Sequence, residues 1–250
     1  MTNFDEQESA DQPEPRDTPA PPESVDGEPD CPNDVETAAA EGRVVTNRAT
    51  PGASFVNVTI AFEAGLGVVA IFFGWLVGFA PLGTLRIHAW SDASRPMLIG
   101  LVGTLPMLVG LVLMDRYPVG RLRGLKDLVE KRLSPLFRAA GLPRLFLISA
   151  AAGWGEELLF RGLIQAGLIA MLSETWGSPT AIAFALLVAS ILFGMCHWLS
   201  TMYLVIATAM GFYFGGLMLW ADSLLAPIVT HALYDFAALV YLVHWKSRGQ

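Results

Sequence analysis

The residues of this chain best placed to do chemistry are ionisable groups inside apolar stretches: Glu63, Glu156, Glu157, Arg161, His197, His231 and Asp235. A charged side chain at the middle of a membrane helix costs about 2.5–3.5 kcal/mol on insertion scales, so such groups face a protein interior or a hydrated cavity. Glu157 and Arg161 stand four residues apart, acid before base, on one helical face, and this pair neutralises itself. Glu156 lies about 100° around the helix with no intrahelical cation, which leaves it for general-base work on water. A buried ion-pair cluster that only ties helices together fits the same residues. His231 and Asp235 share a face one turn apart, so the carboxylate can orient the imidazole through its second ring nitrogen. His197 follows Phe193 at the same spacing. A single histidine on an apolar helix reads as a packing residue. Three polar clusters on three helices instead supply a base, two imidazoles and an acid, the parts needed to activate water and stabilise an oxyanion.

These groups need helices that cross a membrane. The 250 residues are 53% hydrophobic and 16% charged, with a mean hydropathy of +0.48, far more apolar than an ordinary soluble domain. Six apolar segments, at 56–80, 97–114, 145–170, 180–199, 203–220 and 224–243, approach the roughly 20 residues that span about 30 Å of hydrocarbon. The fold class expected is all-α, a polytopic transmembrane bundle of about six helices, because lipid offers backbone polar groups no partner. The second and fifth runs are short, so one of them is expected to be tilted, broken or partly re-entrant. Glu63, a few residues inside the first run, is expected at the membrane interface. Counted from residue 145, Glu156 lies about 16 Å in from one end of its helix, whereas His197 lies close to that same face. Either the fourth helix runs past residue 199 or the helices are shifted vertically.

The segment 1–54 holds 13 of the 23 acidic residues against Arg16, Arg43 and Arg48, a local charge of 3 − 13 = −10, and 8 of the 16 prolines. It reads as a disordered, acidic tail, an obvious contact for a protein partner. No signal peptide is legible in it. The remainder carries 13 − 10 = +3, too little basic surface for nucleic acid. Cys31 and Cys196 allow neither a disulfide framework nor a cysteine zinc site. Eight of the basic residues fall in the loop 115–144, which the positive-inside rule makes cytoplasmic. Counting crossings then puts the N-terminal tail and the end 244–250 on the cytoplasmic side of an inner or plasma membrane. Within the loop, 119–138 reads equally as an amphipathic interfacial helix and as a solvated loop. The organisation expected is a tail (1–54), two membrane helices with a basic loop (55–144), a catalytic core (145–243) and a short end (244–250).

EELLFR at 156–161, FGMCH at 193–197 and HALYD at 231–235 resemble, in order and on successive apolar segments, the EExxxR, FxxxH and HxxxN/D motifs of the CPBP family. That family comprises CAAX prenyl proteases and the bacteriocin-processing or self-immunity proteins also called Abi. The resemblance covers roughly 145–243, and the segments Gly211–Gly215 and Ala226–Ile228 are in the same style. It implies an intramembrane endopeptidase, with membrane lipid around it and a peptide or a lipidated protein tail as substrate. By analogy, Glu156 activates water with His197, while His231 and Asp235 bind the scissile carbonyl and its oxyanion. Glu157, Arg161 and Phe193 give structural support. Asp235 stands where the family more often has Asn. A metal-free, glutamate-activated water and a zinc ion held by Glu156, His197 and His231 are competing mechanisms. A proton-coupled transporter or channel would use the same buried acids and histidines as a relay, although no internal repeat is visible. A silent scaffold or immunity factor would use none of them.

Overall fold

The computed structural model of the chain describes the backbone of residues 51–245 and the side chains of residues 54–243. The expected disorder of the acidic tail up to residue 50, the placement of 246–250, and Cys31 lie outside the described residues. In chain order the elements are α1 (Pro51–Leu76), a 3₁₀ turn (Pro81–Leu85), α2 (Trp90–Arg116) and α3 (Arg121–Leu128). After α3 come a π turn (Val129–Leu133) and a single helical turn (Ser134–Phe137). Then follow α4 (Leu142–Trp176), α5 (Ser178–Cys196), α6 (Thr201–Ala221) and α7 (Leu225–Val240), the last prolonged by a π turn to Trp245. There is no strand among the described residues, and six of these helices are long and apolar enough to cross a membrane. The protein is an all-helical integral membrane protein.

Both short apolar runs are full helices, so neither is broken or re-entrant. The second run starts at Trp90 because Asp92 Oδ2 accepts from the backbone N–H groups of His88 and Ala89, both at 2.9 Å, and caps a polar first turn that hydropathy alone excludes. The fifth starts at Thr201 because Ser200 Oγ accepts from the Tyr203 N–H at 3.1 Å. The loop after α2 takes the amphipathic-helix alternative: Leu125 of α3 is buried, and Lys126 returns to Asp115 at 3.2 Å.

The vertical mismatch between Glu156 and His197 resolves at Gly177. This residue alone joins α4 to α5 and has φ 75°, a left-handed conformation that glycine adopts without strain. Glu156 lies 177 − 156 = 21 residues before the turn and His197 lies 197 − 177 = 20 after it, so in an antiparallel pair the two stand level, each about 30 Å from Gly177. The fourth helix does not run past 199; it stops at Cys196. Instead α4 is longer than expected at both ends, and its first turns project beyond α5. There Leu145 and Ile148 pack with Val56 of α1, with Ala140, and with Leu239 and Val240 of α7. The start of α1, the basic segment and the end of α7 therefore share one end of the bundle. At the other end, Arg86 pairs with Asp222 at 2.8 Å and the Leu224 N–H donates to the Thr84 carbonyl at 3.0 Å.

Glycines set the closest helix contacts, as expected where lipid supplies no hydrophobic drive between helices and close packing must. A Cβ on Gly100 would meet the Ala226 carbonyl of α7 at 2.7 Å, and one on Gly153 would meet the Ala232 nitrogen of α7 at 2.8 Å. One on Gly155 would collide with the Glu63 carbonyl oxygen of α1. Gly153 and Gly155 thus dock α4 against two helices immediately before the Glu156–Glu157 pair. Gly155→Ala should destabilise the bundle by about 1–3 kcal/mol or more, since backbone cannot yield as a side chain does. Gly65→Ala, with open space around it, should be neutral or slightly stabilising. Thermal unfolding of the detergent-solubilised variants measures the difference.

Candidate active site

The site is built outward from Arg161, a fully buried cation. Its NH1 donates to Glu157 Oε1 at 3.1 Å and its NH2 to the Gly211 carbonyl of α6 at 3.2 Å. The guanidinium carbon lies 4.3 Å from the Phe193 ring centroid and 5.2 Å from that of Phe214, so aromatic faces supply the rest of its environment. This carries out the i,i+4 pairing read from the sequence. The stretch that holds Arg161, Leu158–Gln165, is wound as a π-helix, a form that often occurs where side chains must be re-aimed at a site.

Glu157 does more than neutralise Arg161. The same Oε1 lies 2.8 Å from His231 Nδ1 across the α4–α7 contact. Asp235 Oδ2 lies 3.4 Å from His231 Nε2, a longer and weaker contact. Asp235 thus stands at one nitrogen of His231, as its spacing suggests, while Glu157, which the spacing could not show, grips the other. The His231 ring stacks on Phe214, with centroids 4.8 Å apart and planes at 12°. Phe214 was not among the candidates, although an aromatic run between Gly211 and Gly215 was the available signal.

His197 caps the end of α5. Its Nδ1 is 2.8 Å from the Phe193 carbonyl, and since a carbonyl only accepts, Nδ1 carries the hydrogen and Nε2 is turned to the cavity. There Nε2 stands 3.6 Å from Glu156 Oε2, too far for a direct hydrogen bond. Glu156 is 7% exposed, and its Oε2 has no hydrogen-bond partner among the described residues. Phe193 lies between the polar groups, with its ring against His197 at 4.5 Å and against His231 at 6.0 Å. Glu156, His197, His231 and Asp235 together line a cavity of about 430 Å³, walled on one side by the amphipathic segment through Leu125 and Val129.

Glu63 also lines this cavity, which overturns its expected place at the interface. Its depth was counted from the edge of an apolar run, whereas the Gly155 contact seats α1 so that Glu63 faces Glu156. Zinc needs three protein donors converging at about 2.0–2.3 Å from one point. Among the described residues no three His, Cys, Asp or Glu side chains are so arranged, because both nitrogens of His231 face carboxylates and one of His197 faces a carbonyl. The set Glu156, His197 and His231 is therefore not assembled as a zinc ligand set.

Residues 138–237 match the family model for type II CAAX prenyl endopeptidase Rce1-like proteins. This core is similar to the Rce1-like family over 100 of the 250 residues of the chain. The match bears out the motif resemblance and places the core among CAAX-type membrane peptidases. No curated protein and no solved structure gave a significant match to the chain. The Rce1-like region holds Glu156, Glu157, Arg161, Phe193, His197, Phe214, His231 and Asp235, whereas Glu63 and α2 fall outside it.

Because Glu157 serves Arg161 and His231 at once, Glu157→Ala should lose about 3–5 kcal/mol by leaving a buried cation unpaired. The double variant Glu157→Ala, Arg161→Met should recover part of that loss. Unfolding temperatures and folded yields of the two proteins in detergent provide the comparison.

Proposed function

We propose that the chain is a CAAX-type intramembrane endopeptidase in which Glu156 activates the attacking water. The observation that carries this reading is a nine-tenths buried carboxylate with an unpartnered oxygen, facing an imidazole nitrogen across a cavity of catalytic size. Water held between Glu156 Oε2 and His197 Nε2 gives a proton to Glu156 as its oxygen bonds to the scissile carbonyl carbon. His231, whose Nε2 is only loosely held by Asp235 at 3.4 Å, turns that N–H to the carbonyl oxygen as it gains charge, and Asp235 keeps the imidazole in place. When the C–N bond breaks, Glu156 returns the proton to the leaving amine, so the carboxylate is restored.

A lipidated peptide tail is the substrate class that fits best. An apolar groove of about 560 Å³, lined by Met107, Leu111, Met114, Ile206 and Met210, adjoins the catalytic cavity and shares Tyr234 with it. A hydrocarbon chain lodged there would hold the attached peptide beside Glu156. A transporter would need no such side groove, and a scaffold would need no oriented histidines.

Glu156→Gln should lower cleavage of a fluorescence-quenched farnesylated CAAX peptide by a factor of about 10² or more, with an unchanged unfolding temperature. Normal turnover by that variant would sink the mechanism, and binding without cleavage by every form would favour a scaffold. The basic segment between α2 and α4 makes that end cytoplasmic in this reading. In a cysteine-free background, a single cysteine at Arg123 should then be shielded from an impermeant thiol reagent in intact cells and one at Ser178 should react. The reverse labelling would invert the side from which substrate enters.

A further inference from the structure

Glu63, like Asp115 and Glu130, is an acid lining the catalytic cavity that none of the three motifs contains, and α1, which carries it, lies outside the Rce1-like region. Its place is built rather than incidental. Gly155 admits the Glu63 backbone carbonyl so closely that any side chain at 155 would collide with it, and Gly67, one turn further along α1, receives the Trp154 ring. These two contacts lock α1 to α4 in the turn beside the Glu63–Glu156 pair. The two carboxyl groups are neighbours in one cavity, and the Oε2 atom of each is buried without a hydrogen-bond partner among the described residues. The other charged groups that face Glu63 are His231 and Asp235 of α7, while His197 closes the cavity beyond Glu156.

Two ionised carboxylates side by side repel, and one proton between them turns the repulsion into a charge-assisted hydrogen bond. Among the described residues Glu156 is not held by Arg161 or His231, which both bond to Glu157, and His197 Nε2 at 3.6 Å is too far to fix it directly. A base that swings freely forfeits much of the advantage of a positioned one.

We propose that Glu63 is a positioning residue for Glu156: its protonated carboxyl donates a hydrogen bond to the Glu156 carboxylate, fixes its rotamer and leaves Oε2 turned towards the water and His197. The inference rests on the reading of Glu156 as the base. It adds a fourth helix, α1, to the machinery and explains why the chain needs a carboxyl at a depth where an apolar residue would insert more easily.

The test compares Glu63→Gln and Glu63→Ala in the full-length protein in lipid nanodiscs. Gln keeps an N–H donor and should retain kcat on the farnesylated peptide within about three-fold, whereas Ala should lower kcat about ten-fold or more with KM unchanged. Equal unfolding temperatures for both variants are expected, since neither leaves a buried cation unpaired. Wild-type kcat in the Ala variant, equal losses in both variants, or a change confined to KM would each overturn the proposal. Infrared spectroscopy gives a readout that needs no turnover: the protonated carboxyl band of Glu63 should be present in the wild type, lost in Glu63→Gln, and shifted in frequency in Glu156→Gln, where its acceptor changes. A band unaffected by either substitution overturns the pairing. If no form cleaves the peptide, the endopeptidase reading fails while the band still decides whether the pair exists.

Discussion

Everything at the centre of this protein depends on finding partners for one guanidinium group in a place without water. Arg161 has a carboxylate, a carbonyl and three aromatic rings around it, drawn from three helices: Glu157 and Phe160 from α4, Gly211 and Phe214 from α6, Phe193 from α5. Satisfying the cation therefore brings three helices together. Because Glu157 Oε1 also holds His231, the same constraint reaches α7 and sets the angle of an imidazole that lines the cavity. In a low-dielectric interior these contacts are strong when complete and costly when one is missing, which ties the folding of the core to the geometry of its chemistry.

What the sequence disclosed follows from helical periodicity. Glu157 and Arg161 at i,i+4 can meet only each other within their helix, and that pairing singles out Glu156. His231 and Asp235 were legible for the same reason, as polar groups one turn apart on an apolar helix, and His197 as a histidine one turn after an aromatic ring in apolar sequence. Contacts between helices were not legible. The partner of His231 Nδ1 lies 74 residues away, whereas Asp235 was the neighbour that spacing could show. Glu63 was misplaced because depth had been counted from the fringe of a hydropathic run, and the glycine at 155 that seats it carries no charge or polarity to notice.

Helix ends were misread for a related cause. Hydropathy marks where a segment stops being apolar, while hydrogen bonding marks where it stops being helical. Asp92 and Ser200 begin helices inside polar sequence by capping them. The outer surface shows the complementary rule. Phe62, Phe72 and Trp75 of α1 and Leu98 and Leu105 of α2 are exposed, and a soluble protein would not tolerate so continuous an apolar face. Lipid solvates it, leaving glycine contacts and buried polar pairs to hold the helices in register.

The one-residue link at Gly177 turns α4 and α5 into a ruler. Glu156 and His197 oppose each other only because the two arms measured from that link are nearly the same length. One residue inserted in either arm would rotate its group by about 100° and move it about 1.5 Å; four would restore the face but shift it by a full turn. Length variation among natural relatives should therefore be absent from both arms and gather in the segment before Leu142 or beyond Cys196. The π-wound stretch Leu158–Gln165 is the place within the arms where an extra residue is already absorbed without changing which groups meet.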